Sequence, residues 1–289
     1  MIFLVTGATG ILAQQVIKGL LEKGHIVNAF SRTQDATSNR LGETKYRNDE
    51  LLNFNNHIDV LIHCAFTRSE DPTELSTSLQ FTYEVAKFCN AQKIPTIINI
   101  SSQSVYSDQS HNQLIDENSP IAPATRYGLA KFSSELILSN LNPTNAVTIR
   151  LGSLIGKGME ARALHKMTLN AWNNNQIKAL DGRQFCSLIS VDDAATAVIS
   201  IALATPPTED ITLNLTSHEQ PTLENIVQQI ALTVEKAKNA KVDVVYIPSV
   251  DQIPTSLKIS TSKLERDYGI VIRDSIANTI KQILSDNVD

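Results

Sequence analysis

The first thirteen residues restrict this chain more than any other stretch. Ile2 to Val5 is a short apolar run, Thr6-Gly7-Ala8-Thr9-Gly10 is a glycine turn, and from Ile11 apolar residues recur at helical spacing. A strand, a glycine-rich turn and a helix N-terminus in that order point backbone amides and the positive end of the helix dipole at one spot. That arrangement makes a ready site for a dinucleotide pyrophosphate. Gly7 allows the tight turn, Gly10 lets the backbone approach the phosphates, and the small Ala13 lets the helix pack close on the strand. The spacing is G-x-x-G-x-x-A in place of G-x-G-x-x-G, a variant of the dinucleotide fingerprint. An ordinary turn uses the same glycines, so the loop acquires weight only from the elements downstream of it.

Downstream, strands and helices alternate. Ile11 to Lys23 predicts a helix closed by Gly24, and His25 to Phe30 a second strand ending at Ser31-Arg32. A weaker strand and helix are expected between Thr44 and Asn55, then a strand at Asp59–His63 and a helix over Glu74–Gln92. A strand at Thr96–Ile100 ends on Ser101-Ser102, a helix runs from Arg126 to Asn140, and Ala146–Leu151 is a strand again. Such alternation predicts βαβ crossovers and an α/β fold with a Rossmann-type doubly wound parallel sheet. Beyond Leu151, helices are expected at Glu160–Asn174 and Val191–Ala204, with a short strand at Phe185–Ile189. A smaller C-terminal α/β lobe is then expected, with strands at Thr212–Leu215 and Val242–Ile247 and helices at Leu223–Glu235, Ser262–Tyr268 and Asp274–Leu284. In residue terms, 1–152 and 183–205 form the dinucleotide domain, and 153–182 and 206–289 the substrate lobe, with the ligand crevice between them.

Composition excludes several other classes. With 25 Lys and Arg against 30 Asp and Glu the net charge is −5, and no basic stripe marks a nucleic-acid binder. The cysteines Cys64, Cys89 and Cys186 are scattered and odd in number, as in reduced cytosolic proteins, and the histidines have no metal-ligand spacing. No segment reaches the roughly 18 consecutive apolar residues of a membrane helix, and the apolar start lacks a basic leader. A soluble, cytoplasmic protein that binds no metal is expected. Asp116-Glu117 is expected as a solvated turn, and Asp192-Asp193 as a helix cap.

Tyr127 and Lys131 lie four residues apart on one helix face, just after the strand that ends in Ser102. A phenol with a pKa near 10 is a poor base at neutral pH, and a fixed cation with an oxidised nicotinamide lowers it. Tyr127 can then take a proton from an alcohol as hydride leaves, or return one when a ketone is reduced. Ser102 can hydrogen-bond the same oxygen.

These motifs resemble the extended short-chain dehydrogenase/reductases, in particular the NAD-dependent epimerase/dehydratase group acting on nucleotide sugars. The resemblance covers nearly the whole chain. Thr6–Ala13 is similar to the cofactor loop, Asp59–Ala65 to the strand backing the cofactor riboses, and Ser101–Tyr106 to the S-S-x-x-V-Y segment. Pro123–Lys131 is similar to the P-x-x-x-Y-G-x-[SA]-K helix, Arg150–Gly158 to the R-x-x-N-x-Y-G-x-G stretch, and Val191-Asp192-Asp193 to a later V-D-D segment. It implies a Ser102/Tyr127/Lys131 catalytic triad, with Lys131 also on the nicotinamide ribose. Gly7, Thr9, Gly10, Ile11 and Leu12 would hold the pyrophosphate, Ala65 and Phe66 would line the cofactor groove, and Ser153 and Arg183 are substrate candidates. A homodimer packed through Glu74–Gln92 and Arg126–Asn140 is implied as well.

Departures from the pattern refine these expectations. Ser31-Arg32 stands where NAD-preferring members carry an acid for the ribose hydroxyl. A hydroxyl and a cation suit a 2′-phosphate, so NADP(H) is favoured over NAD(H). Ser153 replaces the substrate-contacting Asn, and Ile155 the common Tyr. Gln103-Ser104 replaces the Asp-Glu that performs water elimination in the dehydratases. The expected activity is hydride transfer to or from a sugar carbon, as a nucleotide-sugar 4-ketoreductase or epimerase. The alternatives are reduction of another carbonyl substrate, or a non-catalytic dinucleotide-binding module.

Overall fold

Strands whose two faces are both apolar need helices above and below, and the chain supplies both layers. The computed structural model describes residues 1–33, 41–106, 114–180, 182, 184–247 and 257–287. Its first half contains β1 (Ile2–Thr6), α1 (Ile11–Glu22), β2 (Ile26–Ser31), β3 (Glu43–Arg47), β4 (Val60–His63), α2 (Pro72–Gln92), β5 (Thr96–Ser102), β6 (Leu114–Ile115) and α3 (Arg126–Leu138). Next come β7 (Asn145–Leu151), β8 (Ser153–Ile155), α4 (Ala163–Asn174), β9 (Gln176–Leu180), β10 (Leu188–Ser190) and α5 (Val191–Leu203). The chain closes with β11 (Ile211–Leu215), α6 (Leu223–Lys238), β12 (Asp243–Ile247), β13 (Lys258–Ile259), α7 (Ser262–Tyr268) and α8 (Ser275–Asn287).

Seven of these strands form one parallel sheet in the order β11-β7-β5-β4-β1-β2-β3. Phe3, Val5, Ile62, Ile98 and Val147 fill one face, under Val16, Ile17 and Leu20 of α1 and Ala194 and Val198 of α5. Leu4, Phe30, Leu61 and Ile97 fill the other, under Val85 and Phe88 of α2 and Leu138 of α3. The chain winds outward from β1 to β3, then returns to the far side of β1 to lay down β4. Strand order therefore reverses between β1 and β4, and the carboxyl ends of those two strands flank the crevice where such sheets bind ligands.

A smaller body gathers around Leu164, Ile177, Ile226, Ile230, Ile280 and Ile283, from α4, β9, α6 and α8. Two of its features depart from expectation. Thr212–Leu215, expected in the lobe, belongs to β11, which pairs with β7 from Ile211↔Val147 to Leu215↔Leu151. The reason is the short connector after α5, which delivers the chain straight back to the sheet edge. Residues 206–289 thus include one strand of the main sheet. In turn β9, not foreseen, pairs in parallel with β12. The strand expected at Phe185–Ile189 begins at Leu188, and Phe185 forms only an isolated bridge to Thr222. Among the described residues no helix is long and apolar enough to cross a membrane.

A buried ion pair ties the second half of the sheet together. The Arg150 guanidinium on β7 donates to Glu135 on α3 (Nη2 to Oε2, 2.9 Å; Nε to Oε1, 3.2 Å), and both side chains are under one-tenth exposed. Nη1 of Arg150 also donates to the Tyr106 hydroxyl and the Glu117 carbonyl. The Tyr106 hydroxyl donates to Asn214 Oδ1 on β11 at 2.6 Å, and the Asn214 amide donates to Glu117 Oε1 at 2.8 Å. Glu117, expected in a solvated turn, is half-buried and belongs to this network because its carboxylate caps the β11 edge.

Removing one member of a buried pair strands the other's charge, which costs about 3–5 kcal/mol. Glu135→Ala is expected to lower the unfolding free energy in urea by that amount. The double replacement Glu135→Met with Arg150→Met is expected to recover most of the loss. A single-variant loss under about 1 kcal/mol would show that the pair is not an integral part of the fold.

Candidate active site

At the carboxyl end of β1 the backbone turns through Gly7 at φ +68°, a left-handed conformation that favours glycine. A Cβ there would stand 2.7 Å from the Ala65 Cα, so the turn fits against the end of β4 only without a side chain. Gly10 occupies the N-cap of α1, offers no side-chain cap, and is followed by no acid in the first turn. The first amides of α1 are therefore left to an external anion, which is the donor set a dinucleotide pyrophosphate requires.

A cleft of about 610 Å³ opens beside this turn. Its lining brings together Thr9, Gly10, Ile11 and Leu12 with Phe66, Ser102, Tyr127, Lys131 and Ser153. Four of the expected cofactor positions, Gly7, Ser31, Arg32 and Ala65, are not part of that lining. Gly7 and Ala65 buttress each other at its floor, and the Ala65 amide donates to the Thr6 hydroxyl at 3.4 Å. Ser31 ends β2 buried, its hydroxyl donating to the Thr33 carbonyl, with Arg32 exposed next to it. Arg183 lies outside the described residues.

Thr125 caps α3, its hydroxyl accepting from the Gly128 amide at 3.0 Å, so Tyr127 and Lys131 start the helix on one face. Gly128 lets that helix touch the turn after β5, since a Cβ would lie 2.3 Å from the Ser104 carbonyl oxygen. The contact carries Tyr127 up to Ser102. Burial pushes the Tyr127 phenol above its usual value, while the Arg68 charge, a hydrogen bond with the Ser102 hydroxyl and the Arg162 charge pull it back. Two arginines that the sequence did not single out thus add to the positive charge acting on the phenol.

The Lys131 ammonium is 5% exposed, donates to the Ile100 carbonyl at 2.8 Å and sits 4.0 Å from the centre of the Phe66 ring. Burial lowers its pKa to about 7. Next to it, His63 is wedged between the hydroxyls of Thr6 (2.8 Å) and Thr82 (3.0 Å), and burial holds its pKa near 3, so it stays neutral. Ser153 accepts a hydrogen bond from Gln103 Nε2 at 3.2 Å, while the other amide atom of Gln103, Oε1, is buried without a protein partner. Asp193 is not the cap of α5. Ser190 caps that helix, and Asp193 accepts from both Ser190 and Ser275, joining α5 to α8.

Arg68, Met159 and Arg162 also line the cleft. Sequence reasoning missed all three. Arg68 lies only three residues past Ala65, and that closeness to the β4 end was the one available signal. Arg162 had none, because its position depends on how the segment between β8 and α4 crosses the cleft mouth.

The Lys131 environment has a consequence for stability. Between pH 7 and 9 the unfolded chain keeps this proton, at an ordinary value of 10.5, while the folded chain gives it up, so stability rises with pH across that window. Below about pH 7 both states are charged and the burial penalty is fully present. The difference in unfolding free energy between the native chain and Lys131→Met is expected to change by on the order of 2 kcal/mol from pH 7 to 9. Parallel curves for the two proteins would contradict it.

Known proteins share this fold. The structure matches UDP-N-acetylglucosamine 4-epimerase from Bacillus cereus with a TM-score of 0.82 at 20% identity, over 100% of both chains. It matches UDP-glucuronic acid 4-epimerase from Bacillus cereus, in complex with UDP-glucuronic acid and NAD, with a TM-score of 0.80 at 19% identity over 99% of each. A curated relative, the probable low-salt glycan biosynthesis reductase Agl14 of Haloferax volcanii, is 28% identical over 164 residues, 53% of either chain. The chain therefore spans about half the length of the curated relative it matches. The model of the NAD dependent epimerase/dehydratase family matches residues 3–213, from the first sheet strand into the last. With the glycine turn, the parallel sheet and the tyrosine helix all inside that match, the chain belongs to the NAD-dependent epimerase/dehydratase family.

Proposed function

We propose that this chain is an oxidoreductase that moves hydride to or from a sugar carbon, as a nucleotide-sugar 4-ketoreductase or epimerase. One observation carries the reading: an uncapped glycine turn and the Ser102, Tyr127 and Lys131 side chains line a single cleft. The reductase name of the Haloferax relative and the sugar-nucleotide complexes of the structural neighbours agree with it.

A nicotinamide dinucleotide bound in the cleft supplies the hydride acceptor or donor. The amides at Gly10 and the start of α1 would hold its pyrophosphate, and Lys131 its nicotinamide ribose. Tyr127 gives or takes the proton at the substrate oxygen. Ser102, which lines the cleft beside the phenol, orients that oxygen, and the positive charge around Tyr127 stabilises the phenolate formed on proton donation. Ser153 and Gln103 form a polar pair on the substrate side, with Arg183 as a further substrate contact.

NADP(H) is the favoured cofactor, supported by Ser31-Arg32 at the end of β2, where no acid stands for a ribose hydroxyl. The UDP-glucuronic acid 4-epimerase structure named above holds NAD, so the preference rests on this chain's own residues. The sheet domain and the smaller body would carry cofactor and substrate respectively, in a cytoplasmic homodimer. Tyr83 on α2 and Leu129 and Leu136 on α3 leave apolar surface for that contact.

Tyr127→Phe is expected to cut turnover by roughly 10²–10⁴-fold, read as nicotinamide absorbance, while cofactor affinity stays within about twofold. Turnover that survives this change would remove the mechanism. Fluorescence titration is expected to give at least about tenfold tighter binding of NADPH than NADH, with Arg32→Ala closing the gap; tighter NADH binding would reverse the cofactor assignment.

A further inference from the structure

Two guanidinium groups line the same cleft as the acid–base phenol. Arg68 comes from the loop after β4, and Arg162 from the residue just before α4. Nη1 of Arg68 rests 3.9 Å from the Met159 sulfur, a soft neutral neighbour. Among the described residues neither arginine makes an ion pair with a carboxylate. The cleft lining, among the described residues, contains Arg68, Lys131 and Arg162 and no acid. Nearby carboxylates bond backbone amides, and the Glu70 charge also pushes the Tyr127 phenol up. Glu70 accepts from the Tyr127 amide at 3.1 Å, and Glu160 accepts from the Gly158 amide at 2.8 Å.

This arrangement is unfavourable in the protein alone. Burial first, and then the like charge of Arg162, weaken the protonated form of Arg68. Paired cations that share a cleft with no carboxylate among its described lining residues point to an anionic ligand. The dinucleotide pyrophosphate already has its own donors at Gly10 and α1. Lys131 is engaged with the Ile100 carbonyl and the Phe66 ring. The arginines instead share the cleft lining with Tyr127, and their charges act on the phenol at which the proposed reaction takes place.

We infer that Arg68 and Arg162 together receive a carboxylate carried by the sugar, which makes the substrate a nucleotide-linked hexuronate. This deepens the proposed function and rests on its placement of the reacting oxygen at Tyr127. A carboxylate one ring carbon from the reacting carbon lies beside the phenol, and two planar guanidinium forks can hold its oxygens with paired hydrogen bonds. A neutral hexose in the same place leaves both cations unpaired, which sets the discrimination. The same chemistry serves the diphosphate of a sugar nucleotide, so the test separates the two sources.

With the full chain saturated in NADPH, calorimetry would compare UDP-glucuronate, UDP-glucose and UDP. UDP-glucuronate is expected to bind at least about tenfold tighter than UDP-glucose. Arg68→Gln and Arg162→Gln are each expected to erase most of that advantage, with UDP, UDP-glucose and NADPH affinities moving less than about twofold. Retained NADPH binding shows that the variants are folded. Equal affinities for the two sugars, an advantage that survives both substitutions, parallel loss of UDP binding, or no binding of any of the three would overturn the proposal. A uronate preference in a protein that keeps turnover after Tyr127→Phe would leave this inference standing while the mechanism failed.

Discussion

The Glu135–Arg150 pair is the constraint on which the active half of the molecule depends. Burying two charges carries a large desolvation cost, which is offset only when every lone pair and proton finds a partner. Here the partners are drawn from far apart. Ser101 on β5 donates to Glu135, Tyr106 and the Glu117 carbonyl accept from Arg150, and Asn214 on β11 accepts from Tyr106. The pair therefore has one geometry, which locks α3 in register against β5 and β7. Tyr127, Lys131 and Glu135 recur every four residues on α3, so they share a stripe. Once Glu135 is fixed at the sheet, Lys131 must meet the end of β5, and Tyr127 must face the cleft mouth.

Close approach of backbones does the rest. Gly7 against Ala65 and Gly128 against Ser104 are contacts that no side chain could share. The first brings the glycine turn against the end of β4, on the two sides of the point where strand order reverses. The second brings α3 down on the turn after β5, and joins Ser102 to the Tyr127 phenol. The site is thus built from the ends of β1, β4 and β5 and the starts of α1, α3 and α4, with rigid elements setting the positions of its donors.

Its electrostatics are set by burial. Lys131 and His63 lie side by side in a dry region, so the histidine stays neutral and the lysine is a weak cation close to neutral pH. Arg68 and Arg162 add positive charge that acts on the phenol. The cleft is accordingly cationic where the proton moves, while the acids around it face backbone amides.

The sequence by itself determined what depends on local pattern. Apolar runs of five or six residues, glycines at turns, and Tyr and Lys four apart specify strands, a phosphate turn and a reactive helix face through interactions within one element or between neighbours. Those signals yielded the doubly wound sheet, the glycine loop, and Ser102, Tyr127 and Lys131 as cleft residues. Only the tertiary structure decided the contacts between distant segments. It put β11 in the main sheet, turned Glu117 from solvent into the buried network, and made Ser190 instead of Asp193 the cap of α5. It aimed Lys131 at Ile100, and it brought Arg68 and Arg162 into one cleft with Tyr127. The path of a loop across a cleft is set by what it packs against, and a charge near no motif shows its role only when folding has brought it to one.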